Sequence, residues 1–496
     1  MSQSHEISGF HFDNSYARDL EGFYVPWKAE QAKEPSLMHW NRDLALSLGW
    51  QADATAEDLA QIFAGNRQLA GSQPIAQAYA GHQFGGFSPQ LGDGRALLIG
   101  EIVTAQAERF DLALKGSGAT PFSRGGDGKA AIGPVLREYL IGEFMHAMQI
   151  PTTRALAAVA TGDTVYRNGP LPGAVLTRVA SSHIRVGTFE FFAARRQIDK
   201  LKQLADYTIH RHAPEVLEAK DPYLELLAYV SQSQASLIAK WLSIGFIHGV
   251  MNTDNMAISG ETIDYGPCAF METYRPGTVF SSIDAQGRYA YDQQASIGLW
   301  NLTRFAECLL PLIHDAQEEA ATAAVTETLE KFAGQFEACW LREFGRKLGL
   351  SKPEPEDEEL IKAWLDLLVK NSADFTLAWR SLAEVWENAP SDLTCMLSKE
   401  EDGKLWLQRW KNRLEREGRE PQRVSDELKE ANPCYIPRNH LVEKALTAAT
   451  LENDLEPFEK LLNAISTPGQ EREGFESLKE PADAEFTASY RTFCGT

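Results

Sequence analysis

The chain has 496 residues, 44% hydrophobic and 24% charged, which is the composition of a globular protein large enough for two or more lobes. Its net charge of −21 disfavours loose binding to nucleic acids or anionic membranes. The sequence has no apolar run of about eighteen residues, and its polar N-terminus lacks the core of a signal peptide. We therefore expect a cytoplasmic protein in which any nucleotide is held by a local cluster of positive charge.

The composition and the predicted secondary structure change along the N-terminal third of the chain. Residues 1–70 are predicted to be helices and loops that wrap around other parts of the protein. Glycine is dense in residues 81–129, and two strand-like runs, RALLIGEIV and FDLALKG, lie in this region. In the second run Leu112 and Leu114 alternate with other residues, which places Lys115 on the face opposite the leucines.

The remaining predicted elements are mostly helical. GPVLREYLIGEFMHAM is predicted to be a helix from which Glu138 projects, and residues 164–192 are predicted to be further β-structure. Residues 223–247 form a predicted long helix that ends at the loop containing His248. Beyond Gln293 the pattern is almost wholly helical, with the acidic breaks PEPEDEE and SKEEDG predicted as solvated loops. Five tryptophans in this region are assigned to packing: Trp364, Trp379, Trp386, Trp406 and Trp410.

The order of these elements is that of a two-lobed protein kinase. FIHGVMNTDN keeps the kinase spacing between His248 and Asn255, and IDYGP supplies Asp264 in an Asp-aromatic-Gly segment. We predict an α+β fold with a kinase-like, pseudokinase arrangement. Its parts are an N-terminal extension (1–70), an N-terminal lobe with glycine-rich nucleotide-binding segments (71–205), a helical C-terminal lobe with the catalytic and metal loops (206–440) and a C-terminal tail (441–496).

Asn255 and Asp264 are the candidate metal ligands. Their amide and carboxylate oxygens suit a Mg²⁺ or Mn²⁺ ion bound to nucleotide phosphates. Each residue alone is more common in a tight turn than in a metal site. The spacing from His248 favours the metal interpretation.

The position of the kinase catalytic aspartate holds Val250, whose hydrocarbon side chain cannot accept a proton. Asp254, directly before Asn255, is the nearest carboxylate in the loop and is the candidate base. The alternative is an ordinary solvated aspartate.

Cationic residues earlier in the chain are candidates for binding phosphate. Lys115 and Glu138 match the strand lysine and helix glutamate that form an ion pair in kinases, although two surface charges that never meet are the simpler alternative. Arg95, Arg178 and Arg185 can hold a triphosphate through bidentate hydrogen bonds. The segments GDGRAL and RGGDGKAA lack complete Rossmann and Walker patterns, yet both can offer backbone N–H groups to phosphate.

Six motifs in this order resemble the selenoprotein O family of pseudokinase-like protein adenylyltransferases: AQAYAGHQFGGFSPQLGDGR, DLALKGSGATPFSRGGDGK, HGVMNTDN, IDYGP, YDQQ and NPCYIPRNH. The resemblance covers nearly the whole chain. It implies a kinase-like fold that binds ATP in a flipped orientation, with the α-phosphorus nearest the metal. It also implies transfer of AMP to Ser, Thr or Tyr hydroxyls of proteins, with use of UTP and manganese by some bacterial members.

The resemblance also implies roles for individual residues. Asp254 is the implied proton acceptor, Asn255 and Asp264 are implied metal ligands, and Glu138 supports the strand lysine. The implied nucleotide contacts are Gly92, Gly94, Arg95, Lys115, Asp127, Gly128, Arg178, Arg185 and Asp264. A kinase that transfers the γ-phosphoryl group and a non-catalytic ATP-binding scaffold are the alternatives.

Redox control is the point at which the sequence departs from the family. Eukaryotic members end in a selenocysteine motif, whereas FCGT supplies only Cys494 here. A redox pairing of Cys494 with Cys268 is a hypothesis, and two unpaired thiols are the favoured alternative.

Overall fold

The computed structural model describes residues 9–313, 318–389, 393 and 401–493, and it has an α+β architecture, as predicted. The strands are β1 (Tyr24–Pro26), β2 (Ser36–Trp40), β3 (Ile75–Gln77), β4 (Gly81–Gln83), β5 (Gly86–Ser88), β6 (Ala96–Val103), β7 (Arg109–Lys115), β8 (Ala130–Ala131), β9 (Arg154–Tyr166), β10 (Pro170–Ala180), β11 (Phe246–Ile247) and β12 (Ala269–Phe270).

The helices follow the same chain order. They are α1 (Ser15–Asp19), α2 (Arg42–Ser47), α3 (Ala56–Phe63), α4 (Ile132–Ala147), α5 (Val186–Ala194), α6 (Ile198–His212), α7 (Pro222–Ser243), α8 (Gln294–Leu309), α9 (Glu318–Lys347), α10 (Asp357–Asn371), α11 (Phe375–Trp386), α12 (Glu401–Glu415), α13 (Pro421–Ala431), α14 (Asn439–Thr447), α15 (Glu456–Ile465) and α16 (Ala484–Ser489). None of them, within the residues described, is long and apolar enough to cross a membrane.

An antiparallel sheet in the order β1-β3-β6-β7-β10-β9-β2 forms one half of the protein, and β8 pairs with β10. The expectation of only helices and loops in residues 1–70 is wrong, because β1 and β2 form the two edges of this sheet. Val25 lies opposite Ala76 and Leu37 lies opposite Val159. Strands of three and five residues are too short for a recognisable alternating pattern, so the sequence does not reveal them.

The predicted strand RALLIGEIV and the predicted strand FDLALKG are confirmed as β6 and β7, which pair with each other. Leu112 and Leu114 of β7 are buried in a core shared with α3. Ala113 is buried in the other core, to which α4 contributes Leu136 and Leu140. This alternation places the Lys115 side chain on the α4 side of the sheet.

The β-structure predicted for residues 164–192 ends at Ala180, and the last part of that prediction is wrong. Residues Val186–Ala194 form helix α5 instead. Phe189 and Phe192, three residues apart, are both buried on the core side of this helix, and the Arg185 backbone N–H donates to Thr188 Oγ1 at 3.2 Å at its start. Aromatic residues favour strands in isolation, but helical spacing against a core prevails here.

The C-terminal half is helical, and its tryptophans pack as predicted. Trp364, Trp379, Trp406 and Trp410 are buried, and the Trp364 and Trp406 rings stack with centroids 4.5 Å apart. Trp386 is partly buried against the same core. Helices begin inside both acidic breaks, at Asp357 and Glu401, because acidic side chains are favourable in a first helical turn.

Candidate active site

A cluster of buried charges joins the sheet to α4 and to the loop after β11. We call it the open cluster, and its members are Lys115, Glu138, Arg178 and Asp264. Lys115 Nζ donates to Glu138 Oε2 at 2.7 Å and also to Asp264 Oδ1. Arg178 Nε donates to Glu138 Oε1 at 2.7 Å, and its Nη2 lies 3.5 Å from Asp264 Oδ1. The carboxylate of Glu138 is thus held by a different cation at each oxygen.

Strand pairing explains why these cations meet. Arg178 of β10 lies directly opposite Ala113 of β7, two residues from Lys115. Residues opposite each other in an antiparallel pair point to the same face, as do residues two apart in one strand. Both cations therefore project toward α4, which presents Glu138.

Asp264 is the member of this cluster that faces the cleft. It adopts the left-handed backbone region with φ of 69°, and its side chain is 37% exposed. Burial opposes its ionisation, but the charges of Lys115, Arg178 and Arg95 outweigh that effect and hold the pKa of Asp264 well below its usual range. The contacts with both cations are made by Oδ1, and Oδ2 accepts no hydrogen bond from a described residue. An ionised oxygen is thus left uncommitted in the cleft.

Arg95, at the start of β6, completes the positive side of this cleft. Its charge acts on Asp264, yet its guanidinium makes no hydrogen bond or ion pair among the residues described. A partly exposed guanidinium without a carboxylate partner is well suited to bind an anionic ligand.

His248 joins the two loops that carry the remaining candidate residues. Its Nε2 donates to the carbonyl of Ile263 at 3.0 Å, while Nδ1 accepts from the N–H of Val250 at 3.4 Å. Burial lowers the pKa of His248, so the neutral imidazole serves as donor on one side and acceptor on the other. The ring fixes the loop before Asp264 against the loop before Asn255.

Asn255 lies at the end of the short 3₁₀ turn Thr253–Asn255. Its Nδ2 donates to the carbonyl of Val250 at 3.1 Å, which fixes the amide and leaves Oδ1 as the outward-facing acceptor. Within the described ranges no group of three or more His, Cys, Asp or Glu side chains could hold a metal ion. Asn255 and Asp264 offer one amide oxygen and one carboxylate oxygen, a pair of donors that suits a Mg²⁺ ion taking its other ligands from phosphates and water.

Asp254 is almost fully buried, at 8% exposure. Its Oδ1 is a buried atom without a hydrogen-bond partner, and its Oδ2 accepts a long hydrogen bond of 3.4 Å from Gln83 Nε2. Burial raises the pKa of Asp254 to about 6, against the opposing charge of Arg185. Arg185 Nη1 also donates to the Asp254 carbonyl at 3.2 Å. A carboxylate with this pKa and an uncommitted oxygen can accept a proton near neutral pH.

The two predicted glycine-rich segments pack on each other. Thr120 Oγ1 donates to the Asp93 carbonyl at 2.6 Å, and a side chain at Gly92 would collide with the ring of Phe122. A Cβ at Gly94 would lie 2.9 Å from the Phe122 carbonyl oxygen. Glycine is therefore required for this close approach.

Asp127 and Gly128 lie in the second segment, outside the open cluster. Asp127 forms a two-pronged ion pair with Arg167, with N–O distances of 2.9 and 3.0 Å. Gly128 has a φ of 63°, and its carbonyl accepts from the Gly118 N–H at 3.2 Å. The structure thus leaves Asp127 exposed and Gly128 buried against Gly118, and it does not bring this pair into contact with Lys115 or Asp264.

Sequence reasoning missed the hairpin formed by β4 and β5, which covers Asp254. A Cβ at Gly81 would lie 2.5 Å from Asp254 Oδ1, so only glycine fits there. The His82 N–H donates to Thr253 Oγ1 at 2.7 Å, and Glu190 bonds both His82 Nδ1 and Thr253 Oγ1 at 2.5 Å. The Phe84-Gly85 pair between two short alternating runs is the signal that could have indicated the turn.

A cavity of about 770 Å³ lies on the α4 side of the open cluster. It is lined by Lys115, Glu138 and Asp264 and, at its other end, by residues of the C-terminal segment such as Tyr490. Thr492 Oγ1 donates to the Pro267 carbonyl at 2.7 Å, beside the buried thiol of Cys268. Cys494 lies outside the described residues, so its pairing with Cys268 stays a prediction.

Comparison with known proteins identifies the family and, with it, the class of enzyme, a nucleotidyltransferase. The family model described as protein adenylyltransferase SelO matches residues 6–466. Relatives named protein nucleotidyltransferase YdiU include those of Cereibacter sphaeroides (strain KD131), 56% identical over 98% of this chain and 100% of the relative, and of Chromobacterium violaceum, 53% identical over 95% and 99%. That of Rhizobium etli is 49% identical over 100% of this chain and 99% of the relative. The chain belongs to the protein adenylyltransferase SelO family, which confirms the resemblance found in the sequence.

Proposed function

We propose that the protein transfers AMP from ATP to Ser, Thr or Tyr hydroxyls of target proteins and releases pyrophosphate. In this proposal the sheet and the helical half form the two lobes of a kinase-like fold, and the reaction takes place in the cytoplasm with Mg²⁺ or Mn²⁺. The observation that carries the proposal is a buried, uncommitted carboxylate at Asp254 beside an excess of cations around Asp264.

The cations supply the site for the triphosphate. Lys115, Arg178 and Arg95 act on Asp264, while only Glu138 and Asp264 offset them within the open cluster. We assign the free guanidinium of Arg95 and the partly committed Lys115 and Arg178 to the phosphates.

Other groups complete the nucleotide contacts in this proposal. Arg185 faces the same region from the Asp254 side. The close-packed backbone at Gly92, Gly94 and Gly128, with Asp127, is assigned to the rest of the nucleotide.

Asn255 and Asp264 would hold the metal ion. Their uncommitted oxygens are the hard donors that Mg²⁺ and Mn²⁺ accept, and a cation bound there would neutralise charge on the phosphates. The cations that hold the pKa of Asp264 low keep this ligand ionised at neutral pH.

Asp254 would act on the acceptor hydroxyl. The hydroxyl oxygen forms a bond to the α-phosphorus, the bond from that phosphorus to the α,β-bridging oxygen breaks, and pyrophosphate leaves. The hydroxyl proton passes to the carboxylate of Asp254, whose pKa of about 6 leaves it largely ionised at pH 7 to 8. Attack at the α-phosphorus requires a triphosphate seated in the reverse of the kinase orientation. In that pose the excess cations lie on the leaving pyrophosphate.

Nucleotides labelled separately at the α and γ phosphorus test this proposal. The protein is incubated with each nucleotide and a target mixture, with Mg²⁺ or Mn²⁺, and covalent label is measured after denaturation. We expect label from the α position only, and we expect UTP labelled at the same position to reveal whether UMP is also transferred.

The alternatives give different results in the same assay. Label from γ and not from α would identify a kinase and contradict the proposal. Binding of ATP that raises the melting temperature without any covalent label would identify a non-catalytic scaffold. Asp254→Asn serves as the control, because it should keep ATP binding and lose the label.

A further inference from the structure

The hairpin that covers Asp254 also carries exposed aromatic side chains. Phe84 and Phe87 are 37% and 42% exposed, although both are large and apolar. Phe87 packs on the ring of His82 with centroids 4.9 Å apart, and His82 packs edge-on against Trp300 at 5.3 Å. Phe84 packs against Tyr289 at 5.0 Å. These rings form a continuous surface from the hairpin to α8.

Two arginines lie within this surface. The guanidinium carbon of Arg288 is 4.7 Å from the centre of the Trp300 ring, and that of Arg304 is 5.1 Å from it. Arg304 pairs with Glu307 at 2.7 Å, whereas Arg288 has no carboxylate partner in the part of the chain that the structure describes. We call Phe84, Phe87, Trp300, Arg288 and Arg304 the hairpin face. Tryptophan and arginine are enriched among the residues that dominate binding at protein interfaces.

The backbone at the hairpin tip is strained in order to present Phe84. Phe84 and Gly85 both have positive φ, 51° and 84°, in the two-residue turn between β4 and β5. Such a turn favours Asn-Gly, and a bulky residue at its first position is unfavourable. Strain that is not needed for the turn itself indicates a functional constraint on the side chain.

The hairpin face is fixed directly to the loop of the proposed base. Asn252 Oδ1 accepts from the Phe84 N–H at 3.1 Å and from the Tyr289 hydroxyl at 2.7 Å. Gln83, next to Phe84, reaches Asp254 from the same hairpin. A polypeptide lying on this face would therefore pass beside Asp254.

We propose that the hairpin face binds the target polypeptide next to its acceptor hydroxyl and favours segments with acidic side chains. This inference rests on the proposed AMP transfer and adds the substrate class to it. Acidic partners suit the face because Arg288 lacks a carboxylate, and they would otherwise be repelled by a chain with a net charge of −21. The aromatic rings supply the apolar contact, and the arginines select the charge.

Synthetic peptides provide the test. Each contains one serine, flanked by Asp and Glu in one set and by Lys and Arg in the matched set, and label from α-phosphorus-labelled ATP is measured. We expect kcat/KM to be about tenfold higher for the acidic set, with the difference shrinking at high salt. Arg288→Glu should abolish or reverse the preference. Arg409→Glu, an equal change in charge on exposed α12, should preserve it.

A second variant separates binding from folding. Phe84→Asn places the favoured residue in the strained turn, so we expect an unchanged or higher melting temperature together with a raised KM for peptide and an unchanged KM for ATP. Leu46→Asn, at an exposed position on α2, should change neither KM.

Several outcomes would overturn the inference. Equal labelling of the two peptide sets, or a preference that Arg288→Glu leaves intact, contradicts it while leaving AMP transfer in place. A rise in the KM for ATP alone in Phe84→Asn would assign the face to the nucleotide. A peptide KM that depends on enzyme concentration would assign it to a second copy of the chain. Absence of α-label from the peptides and from the enzyme itself would contradict the proposed function as well.

Discussion

Strand β7 carries an ion cluster at each end, and the two clusters differ in how completely their charges are satisfied. At the end opposite the open cluster, Asp111, Glu101, His183 and Arg211 are all buried, and we call them the closed cluster. Arg211 donates to Glu101 and to Asp111 at 2.6 Å each, and Asp111 also accepts from His183 at 2.8 and 2.9 Å. The open cluster instead leaves one oxygen of Asp264 without a hydrogen bond, and the neighbouring Arg95 guanidinium also has no partner among the residues described.

We use this difference to distinguish charges that stabilise the fold, in the closed cluster, from charges that are available to a ligand, in the open cluster. A set of buried charges whose cations and carboxylates are paired with one another holds its elements together. A set with unused donors and acceptors at a cleft is costly unless a ligand completes it. Perturbed ionisation occurs in both clusters, so it does not by itself identify the active site.

The largest effect is expected from breaking the closed cluster. Arg211→Met removes the cation that bridges two buried carboxylates and should lower the free energy of unfolding by about 3 to 5 kcal/mol. Chemical denaturation measures this change. The kcat of the fraction that stays folded should be unchanged. A lower kcat in that fraction would mean that the closed cluster also contributes to catalysis.

Removing the cleft-facing carboxylate of the open cluster should affect catalysis most. We expect Asp264→Asn to lower kcat for AMP transfer by about 10³-fold, because the amide binds a metal ion weakly and loses its charge. The melting temperature should also fall, because the cations that hold the pKa of Asp264 low stabilise its ionised form in the folded state and the neutral amide lacks that stabilisation. In a titration with Mn²⁺, the variant should need a higher Mn²⁺ concentration for half-maximal activity than the wild type. An unchanged concentration would mean that Asp264 is not a metal ligand.

Replacing Asp254 should lower the activity of the protein and raise its stability. Asp254→Asn should lower kcat by about 10²-fold with little change in the KM for ATP. The pKa of Asp254 in the folded protein is raised above its usual value. The wild-type protein therefore loses stability as the pH rises through about 6, where the buried carboxylate ionises. The variant should therefore melt at a higher temperature than the wild type at pH 8, and at a similar temperature near pH 4. Thermal melts at the two pH values measure the difference.

The smallest effect is a pH dependence of the wild type. Because the ionised form of Asp254 accepts the proton, kcat/KM should rise about fivefold between pH 5 and pH 6 and level off above pH 7. A profile that is flat across this range would mean that another group accepts the proton. Asp264 stays ionised across this pH range, so it does not contribute to the pH dependence of kcat/KM.

The sequence predicts these regions unequally. The alternation around Lys115 and the helical spacing around Glu138 are local patterns, so both elements could be predicted, whereas their ion pair is expected only from the kinase-like order of the elements. Helix α5 could not be predicted, because an aromatic run favours a strand. The helix becomes evident only when the structure reveals which of its aromatic residues are buried in the core. The environment of Asp254 depends on Gly81 and Gln83, the latter 171 residues away in the chain, so neither its burial nor its pKa can be read from the loop itself.

The edges of the sheet have a consequence for synthesis of the chain. Among the described strands β2 pairs with β9, which is more than a hundred residues downstream, so this edge strand leaves the ribosome long before its partner exists. A nascent chain stopped before β9 would keep β2 unpaired and its apolar face exposed. This sheet therefore cannot be completed until β9 and β10 have been synthesised, and chaperones have that interval in which to act.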